Sequence, residues 1–485
     1  MSPNNRIEEP RWAGTREVLV MSWPIILGSL SYTVMQFCDQ WMVSKLGTNP
    51  LAAVGVAGVW SFTMSTMLLG IVGCVSTFVG QSVGRGQHRN CASYTWQGIY
   101  LSLAAGLLAV VLWPLSGPLF GLMGHGEALT ELELVYFRIR LFGYVPMAWT
   151  MALASFFQAV NRPRVPMYVA MVATVLNVIL NFFLIFGSVD LGIPPVAAFG
   201  RLWAVPRLEL AGAAMATVLA QSLQMVLLQF VFLSRSTHAQ YGTRTAWRYQ
   251  HTRMRELVRT GLPNGATWFL DIVNWSIFTS VIVGRFGATP LAAHNVAISF
   301  MHICFMPAVA VNQGIAAIVG QWIGRQDIAR AKARTYTALK ITMAYMTIMG
   351  LIFAVFGADL IRAIFSQEPE LIRLGHKLLI LAALFQAFDA INIICMGALR
   401  GAGDTRYMMW LTLVMAYLLF LPLALFCAFV MNGGAFGAWI GATAYIILLS
   451  GLLFRRFHGE RWREINIFAS AEQAGGEAPA PGGGA

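Results

Sequence analysis

Apolar runs of 20 or more residues recur from one end of this chain to the other. Each is long enough to cross a bilayer core of about 30 Å as a helix. Charged or Pro/Gly-rich breaks divide them into spans expected at 18–44, 51–81, 93–123, 135–159, 166–187, 209–233, 257–284, 291–323, 336–365, 375–398, 408–431 and 434–454. The chain is 57% hydrophobic and 11% charged, with a mean hydropathy of +0.64. A soluble chain carries roughly 25% charged residues to cover its surface. The expected fold class is therefore an all-α polytopic membrane protein with twelve transmembrane helices.

The two halves of the chain are related. Gly47-Thr-Asn-Pro-Leu-Ala-Ala-Val-Gly-Val-Ala57 returns as Gly287-Ala-Thr-Pro-Leu-Ala-Ala-His-Asn-Val-Ala297. Val79-Gly-Gln-Ser-Val-Gly-Arg85 returns as Val319-Gly-Gln-Trp-Ile-Gly-Arg325 at the same spacing. After a slip of two residues, Phe157-Gln-Ala-Val-Asn-Arg-Pro-Arg164 aligns with Leu399-Arg-Gly-Ala-Gly-Asp-Thr-Arg406. Three matches in order mark a tandem duplication, which in an apolar chain points to a transporter with a site between its repeats. Six spans per half return the second half to the starting side, so the repeats insert in parallel. The expected organisation is a leader (1–17), an N-lobe (18–234), an inter-lobe linker (235–256), a C-lobe (257–456) and a largely disordered tail (457–485). Each chain holds a complete path, so a monomer is expected to suffice.

The net charge of +12 is a topology signal. With the N-terminus in the cytoplasm, roughly 24 of the 33 Lys/Arg fall on cytoplasmic segments, as the positive-inside rule requires. The largest cluster is at the hydrophilic joint between the halves, from Arg235 through Arg244, Arg248, Arg253 and Arg255 to Arg259. Both termini are then cytoplasmic, anionic membrane lipids are secondary partners, and nucleic acid is not expected to bind. The first span is too long for a signal-peptide core and lacks a cleavage site, so it is expected to be retained. Six scattered cysteines show no paired spacing. No Gly-Lys-Ser/Thr phosphate loop is present, which removes ATP as a direct energy source, and no cofactor is expected.

The informative chemistry is the set of acids inside spans: Asp39, Asp271 and Asp389. A charge at the bilayer centre costs about 2.5–3.5 kcal/mol on insertion scales, so such residues face polar cavities and act there. Their neighbours share their helical faces. Span 7 sets Asn264, Thr267/Trp268, Asp271, Asn274/Trp275 and Phe278 on one stripe; span 10 repeats the idea with Phe385, Asp389, Asn392 and Met396. Span 1 offers Tyr32, Gln36 and Asp39, and span 5 offers Thr174, Asn177 and Asn181. Carboxylates and amides among aromatic rings suit the wall of a substrate cavity, with a hydrophobic cation as ligand. They also suit Na⁺ or a proton.

In this order, the motifs resemble the MATE (multidrug and toxic compound extrusion) family, in its bacterial NorM-like branch. The resemblance spans about residues 15–455. It rests on Asp39-Gln-Trp-Met-Val43, Pro50-Leu-Ala-Ala53, Val79-Gly-Gln-x-x-Gly-Arg85, Asn177-x-x-x-Asn181, Gly212-Ala-Ala-Met-Ala-Thr217, Gly261-Leu-Pro263 and Leu399-Arg-Gly-Ala-Gly-Asp-Thr405. It implies two six-helix lobes in a bacterial inner membrane, exporting diverse, often cationic, drugs in exchange for Na⁺ or H⁺. It also implies a cation site at Asp39 with Asn177, Asn181 and Thr217, and a C-lobe site at Asp389 with Asp271. Na⁺ is thus a candidate metal at the three acids. Position 181 is Asn where some relatives carry Asp, and position 271 is Asp where NorM-like members commonly carry Glu.

Two rivals stand beside that reading. A lipid-linked oligosaccharide flippase of the same wider fold would need a cationic cavity for phosphate, whereas the charges inside these spans read as all acidic. A membrane enzyme would use His294 or His302 on span 8, but no nucleophile or ligand spacing accompanies them. The duplication is chemically unequal: Asp39 aligns with Thr279, and Asp389 with Met147.

Overall fold

The computed structural model describes residues 12–187, 207–365 and 367–469. The first eleven residues of the expected leader, and the tail from Ser470 on, lie outside the described residues. Every regular element among the described residues is helical: α1 Ala13–Ser44, α2 Thr48–Gly73, α3 Val75–Gly84, α4 His88–Gly121, α5 Glu127–Leu141, α6 Tyr144–Ala159, α7 Arg164–Phe186 and α8 Glu209–Phe232. After the short α9 (Arg235–Tyr241) follow α10 His251–Ile277, α11 Ala288–Gly324, α12 Ile328–Ile364, α13 Pro369–Ala402, α14 Thr405–Met415, α15 Leu421–Leu425 and α16 Gly434–His458. Two π-turns, 416–420 and 426–430, join α14 and α15 into one span ending at Val430. Eleven helical stretches among the described residues are long and apolar enough to cross a membrane. The remaining expected span, 135–159, forms as the pair α5–α6, interrupted at Phe142 and Gly143. None of the six cysteines forms a disulfide.

The duplication is visible in the backbone. The stretch Thr48–Gly84 and α11, Ala288–Gly324, are each 37 residues long and start 240 apart. Each follows a glycine in the left-handed region, Gly47 at φ 121° and Gly287 at φ 98°, where a Cβ would clash with the chain's own carbonyl. Gly86 and Gln326 form a second such pair at φ 73° and 61°, and Asn161 and Gly403 a third at 62° and 89°. The symmetry is not exact: α11 runs unbroken where α2 and α3 are split at Cys74, and α13 runs unbroken where α5 and α6 are split. At that split Gly143 sits against α8, where a Cβ would lie 2.7 Å from Gln221 Oε1.

The chain packs as two compact units, Gly28–Phe269 with Ile465–Ala485, and Met1–Leu27 with Leu270–Glu464. The helices that open each repeat, α1 and α10, are therefore shared. Both carry an internal proline shortly before the crossover, Pro24 and Pro263, and proline removes a helical hydrogen bond and bends the axis.

In the first unit the leading half of α10 lies on α2. Asn264 Nδ2 donates to Gly70 O at 2.7 Å, and a Cβ on Gly265 would fall 2.2 Å from Met67 O. Nearby, Tyr94 donates to Glu256 Oε2 at 2.7 Å. The chain's last described residues join this unit. Phe468 sets its ring edge-on to Phe78 and Tyr94, each at 5.7 Å between centroids, with the Arg85 guanidinium 4.3 Å from the Phe468 ring. In the second unit the leading half of α1 is held by Glu17, which accepts from Arg334 Nε at 2.5 Å and Trp322 Nε1 at 3.0 Å.

Backbone-to-backbone contact at Gly265 leaves no soft atom to yield. Gly265→Ala is therefore expected to cost about 1–3 kcal/mol, read as a lower thermal midpoint in detergent. Gly58→Ala, where a Cβ meets nothing within 4 Å, is the control expected to leave the midpoint unchanged.

Candidate cation and substrate sites

Asp39 is 4% exposed, and its buried carboxylate is held by two other helices. Asn181 Nδ2 donates to Oδ1 in a close contact, and Thr217 Oγ1 donates to Oδ2 at 3.1 Å. Asn177 joins through its Oδ1, which accepts from Asn181 Nδ2 at 3.0 Å. Asn177 and Asn181 stand one turn apart on α7, so one helical face delivers both amides. Asn181 Oδ1 and Asn177 Nδ2 are buried without a partner. The cluster thus offers carboxylate, amide and hydroxyl oxygens at one point, a donor set that suits a small hard cation or a proton. These are the four positions expected from sequence for the first repeat.

Tyr32 and Gln36 lie on the same helix as Asp39. Gln36 Nε2 donates to Tyr32 Oη at 3.0 Å. Tyr32 also borders a cavity of about 170 Å³ with Met35, Met147, Thr150, Thr174 and Gln221.

The second unit gathers Asp271, Asp389 and the Tyr445 hydroxyl within electrostatic reach of one another. Asp389 Oδ1 accepts from Asn392 Nδ2 at 3.2 Å. Asn274 is 1% exposed with neither amide atom partnered, and Gln386 Oε1 and Asn392 Oδ1 are likewise buried and open. Unpartnered buried amides beside two acids form a polar interior that a ligand can complete. Trp275, Phe278 and Phe385, the rings expected on the same helical faces as the acids, pack against further rings: Trp275 with Phe278 at 5.6 Å, Phe278 with Phe420 at 5.3 Å, Phe420 stacked on Tyr445 at 4.7 Å, and Phe385 with Trp439 at 6.2 Å. Phe278 and Phe385 are fully buried in this cluster. Met396 and Trp268 are partly buried, and Trp268 belongs to the first unit while Asn274 and Trp275 belong to the second.

One reading from sequence does not hold. The charges inside the spans are not all acidic, because Arg140 on α5 is 9% exposed and lies in electrostatic reach of Asp39. Its signal is an arginine inside the expected span 135–159, which a pattern of carboxylates alone does not pick out. Tyr445 and Gln386 were missed as well, since a single tyrosine or glutamine in an apolar run carries no pattern.

The model of the MatE family matches residues 24–183 and 270–426. The chain belongs to the MatE family. A probable multidrug resistance protein NorM of Mesorhizobium japonicum is 27% identical over 450 residues, covering 91% of this chain and 93% of that one. The multidrug resistance protein NorM of Burkholderia vietnamiensis is 28% identical over 440 residues, covering 90% and 92%. The fold agrees with the eukaryotic MATE transporter AtDTX14, at a TM-score of 0.80 and 21% identity over 95% of this chain and 98% of that one. It agrees equally with the bent form of the Vibrio cholerae MATE transporter VcmN, at 0.79 and 19% over 92% and 96%.

A MatE chain is a multi-pass membrane transporter rather than an enzyme, and two features that could suggest otherwise have structural explanations. The string Gly80-Gln-Ser-Val-Gly84 has the Gly-x-Ser-x-Gly form, but Ser82 is buried inside α3, not raised on a strand-to-helix turn where it could attack a substrate. His294 is a neutral relay. Trp439 Nε1 donates to His294 Nδ1 at 3.1 Å, His294 Nε2 pairs with Thr279 Oγ1 at 2.9 Å, and that hydroxyl donates to Trp275 O at 2.9 Å. Since Nδ1 accepts, the ring proton resides on Nε2. Thr279 is the repeat partner of Asp39, so a hydrogen-bond relay stands where the first repeat has its acid.

His294→Ala is expected to strand the buried Trp439 N–H at a cost of about 1–3 kcal/mol. The thermal midpoint should fall, while export per folded molecule stays at the wild-type level; loss of export at full stability would contradict this.

Proposed function

We propose that this MatE-family chain is a secondary active multidrug exporter of the bacterial inner membrane, with both termini cytoplasmic. It exchanges hydrophobic, often cationic, compounds for Na⁺ or H⁺ by alternating exposure of two lobes. The observation that carries this is the pair of acid clusters inside the helices, Asp39 with Asn177, Asn181 and Thr217, and Asp271 with Asp389. The names of the NorM relatives support drug export.

The chemistry follows from charge. An ionised acid in an apolar wall attracts an organic cation, and a bound Na⁺ or proton cancels that attraction. Coupling requires that drug and ion favour opposite-facing states, since a ligand with equal affinity for both shifts nothing. An ion moving inward gains about 2.3 kcal/mol per charge per 100 mV, besides its concentration gradient. One chain contains both clusters, so a monomer suffices for transport on this reading.

Export from proteoliposomes under a Na⁺ gradient, then under a pH gradient, each with the other clamped, identifies the driving ion. Asp39→Asn, Asp271→Asn and Asp389→Asn are each expected to cut export at least about tenfold, equivalent to about 1.4 kcal/mol, at unchanged membrane yield. Full export in all three overturns the proposal.

A further inference from the structure

Arg140 is a charged side chain of the first unit that keeps buried nitrogens without a partner. It lies in the last turn of α5, just before the break at Phe142 and Gly143. Its Nε and Nη1 are buried and donate to nothing, and no ion pair of Arg140 occurs among the described residues. A guanidinium carries five N–H donors and keeps its charge in any protein environment. Tyr32 answers it with a side-chain hydrogen bond, but a buried cation with two of its nitrogens unanswered must also be balanced electrostatically or it would not stay buried.

The groups around it are known. Tyr32 from α1, Tyr136 from α5, Tyr144 from α6 and Asp39 from α1 lie in its electrostatic reach. The tyrosines are polar but neutral, and Tyr144 already donates to Ser61 O at 2.7 Å. The other buried acid on α5, Glu133, is engaged by His125 Nδ1 at 2.8 Å. From the facing helices α7 and α8, Asn177, Asn181, Thr217 and Gln221 contribute no charge. Arg140 precedes Gly143 by three residues, and the site a Cβ on Gly143 would take is 2.7 Å from Gln221 Oε1, one turn beyond Thr217, so this end of α5 lies against the helix that supplies Thr217 to Asp39. Asp39 is therefore the full negative charge that faces Arg140. Yet Arg140 does not occupy the carboxylate, whose two oxygens accept from Asn181 and Thr217.

Resting on the reading of Asp39 as a coupling site, we infer that Arg140 is a built-in counter-cation that sets how tightly the Asp39 site holds its ion. The site keeps a cation of its own, near enough to balance Asp39 when no ion is bound and too far to block its oxygens. An arriving Na⁺ or proton is repelled by Arg140, so it binds weakly and leaves readily. The second repeat lacks this device. Its position equivalent to Arg140 is Ala382, and there Asp389 faces a second acid, Asp271.

The test is export from proteoliposomes titrated with Na⁺ at fixed pH and with protons at fixed Na⁺. For the ion that drives export, Arg140→Gln is expected to lower the half-maximal concentration on the order of tenfold. Arg140→Lys, which keeps the charge, should stay within about twofold of wild type. A merely structural arginine would lower the export rate in both variants without moving that concentration, and this result overturns the inference. If Arg140→Gln fails to accumulate, the double variant Asp39→Asn/Arg140→Gln should recover folded protein, because neither charge is then left alone. A double variant no better than the single one also overturns it. Full export by Asp39→Asn would instead defeat the parent reading of Asp39, so the two failures are distinguishable.

Discussion

An ionised acid inside a bundle of apolar helices is the constraint on which this structure turns. Burying a carboxylate is tolerable only when other groups replace the water it loses. At Asp39 that replacement comes from α7 and α8, through Asn181 and Thr217, so three helices remote in sequence converge on one side chain. The polar cluster fixes the register of those helices as firmly as apolar packing does. It also gathers carboxylate, amide and hydroxyl oxygens at the point proposed for cation exchange.

Duplication supplied the frame, and divergence supplied the chemistry. Helix lengths and left-handed turns repeat at an offset of 240 residues, as Gly47 and Gly287 show. The positions that carry charge do not repeat. Thr279 stands for Asp39 and is absorbed into a neutral relay with His294 and Trp439. Met147 stands for Asp389, and Ala382 stands for Arg140. One repeat thus pairs an acid with a cation, while the other sets two acids together over an aromatic floor. Two sites of unequal charge on a shared fold can respond to different ligands, which a symmetric pair could not do.

Much of this was legible from local pattern. Hydropathy located the spans because a bilayer demands about twenty apolar residues for each helix. Helical periodicity set Asn177 beside Asn181, because one turn of helix fixes that relation whatever surrounds it. The acids stood out because they are rare in such runs. The split of span 135–159 into α5 and α6 was not legible: Gly143 is one glycine among many, and its meaning depends on Gln221 pressing against it. Nor was the sharing of α1 and α10 between compact units, since Pro24 and Pro263 announce a bend without saying what each half packs against.

The amino-acid order by itself determined the helices, their duplication, the family and the acids, because each of these is written in spacing or composition over short stretches. Only tertiary structure brought Arg140 and Tyr445 into reach of those acids. Asp39 and Arg140 are a hundred residues apart in the chain, and Asp271 and Asp389 more than that. Whether such pairs meet depends on how helices cross, and electrostatic energy depends on that distance and on the water excluded between them.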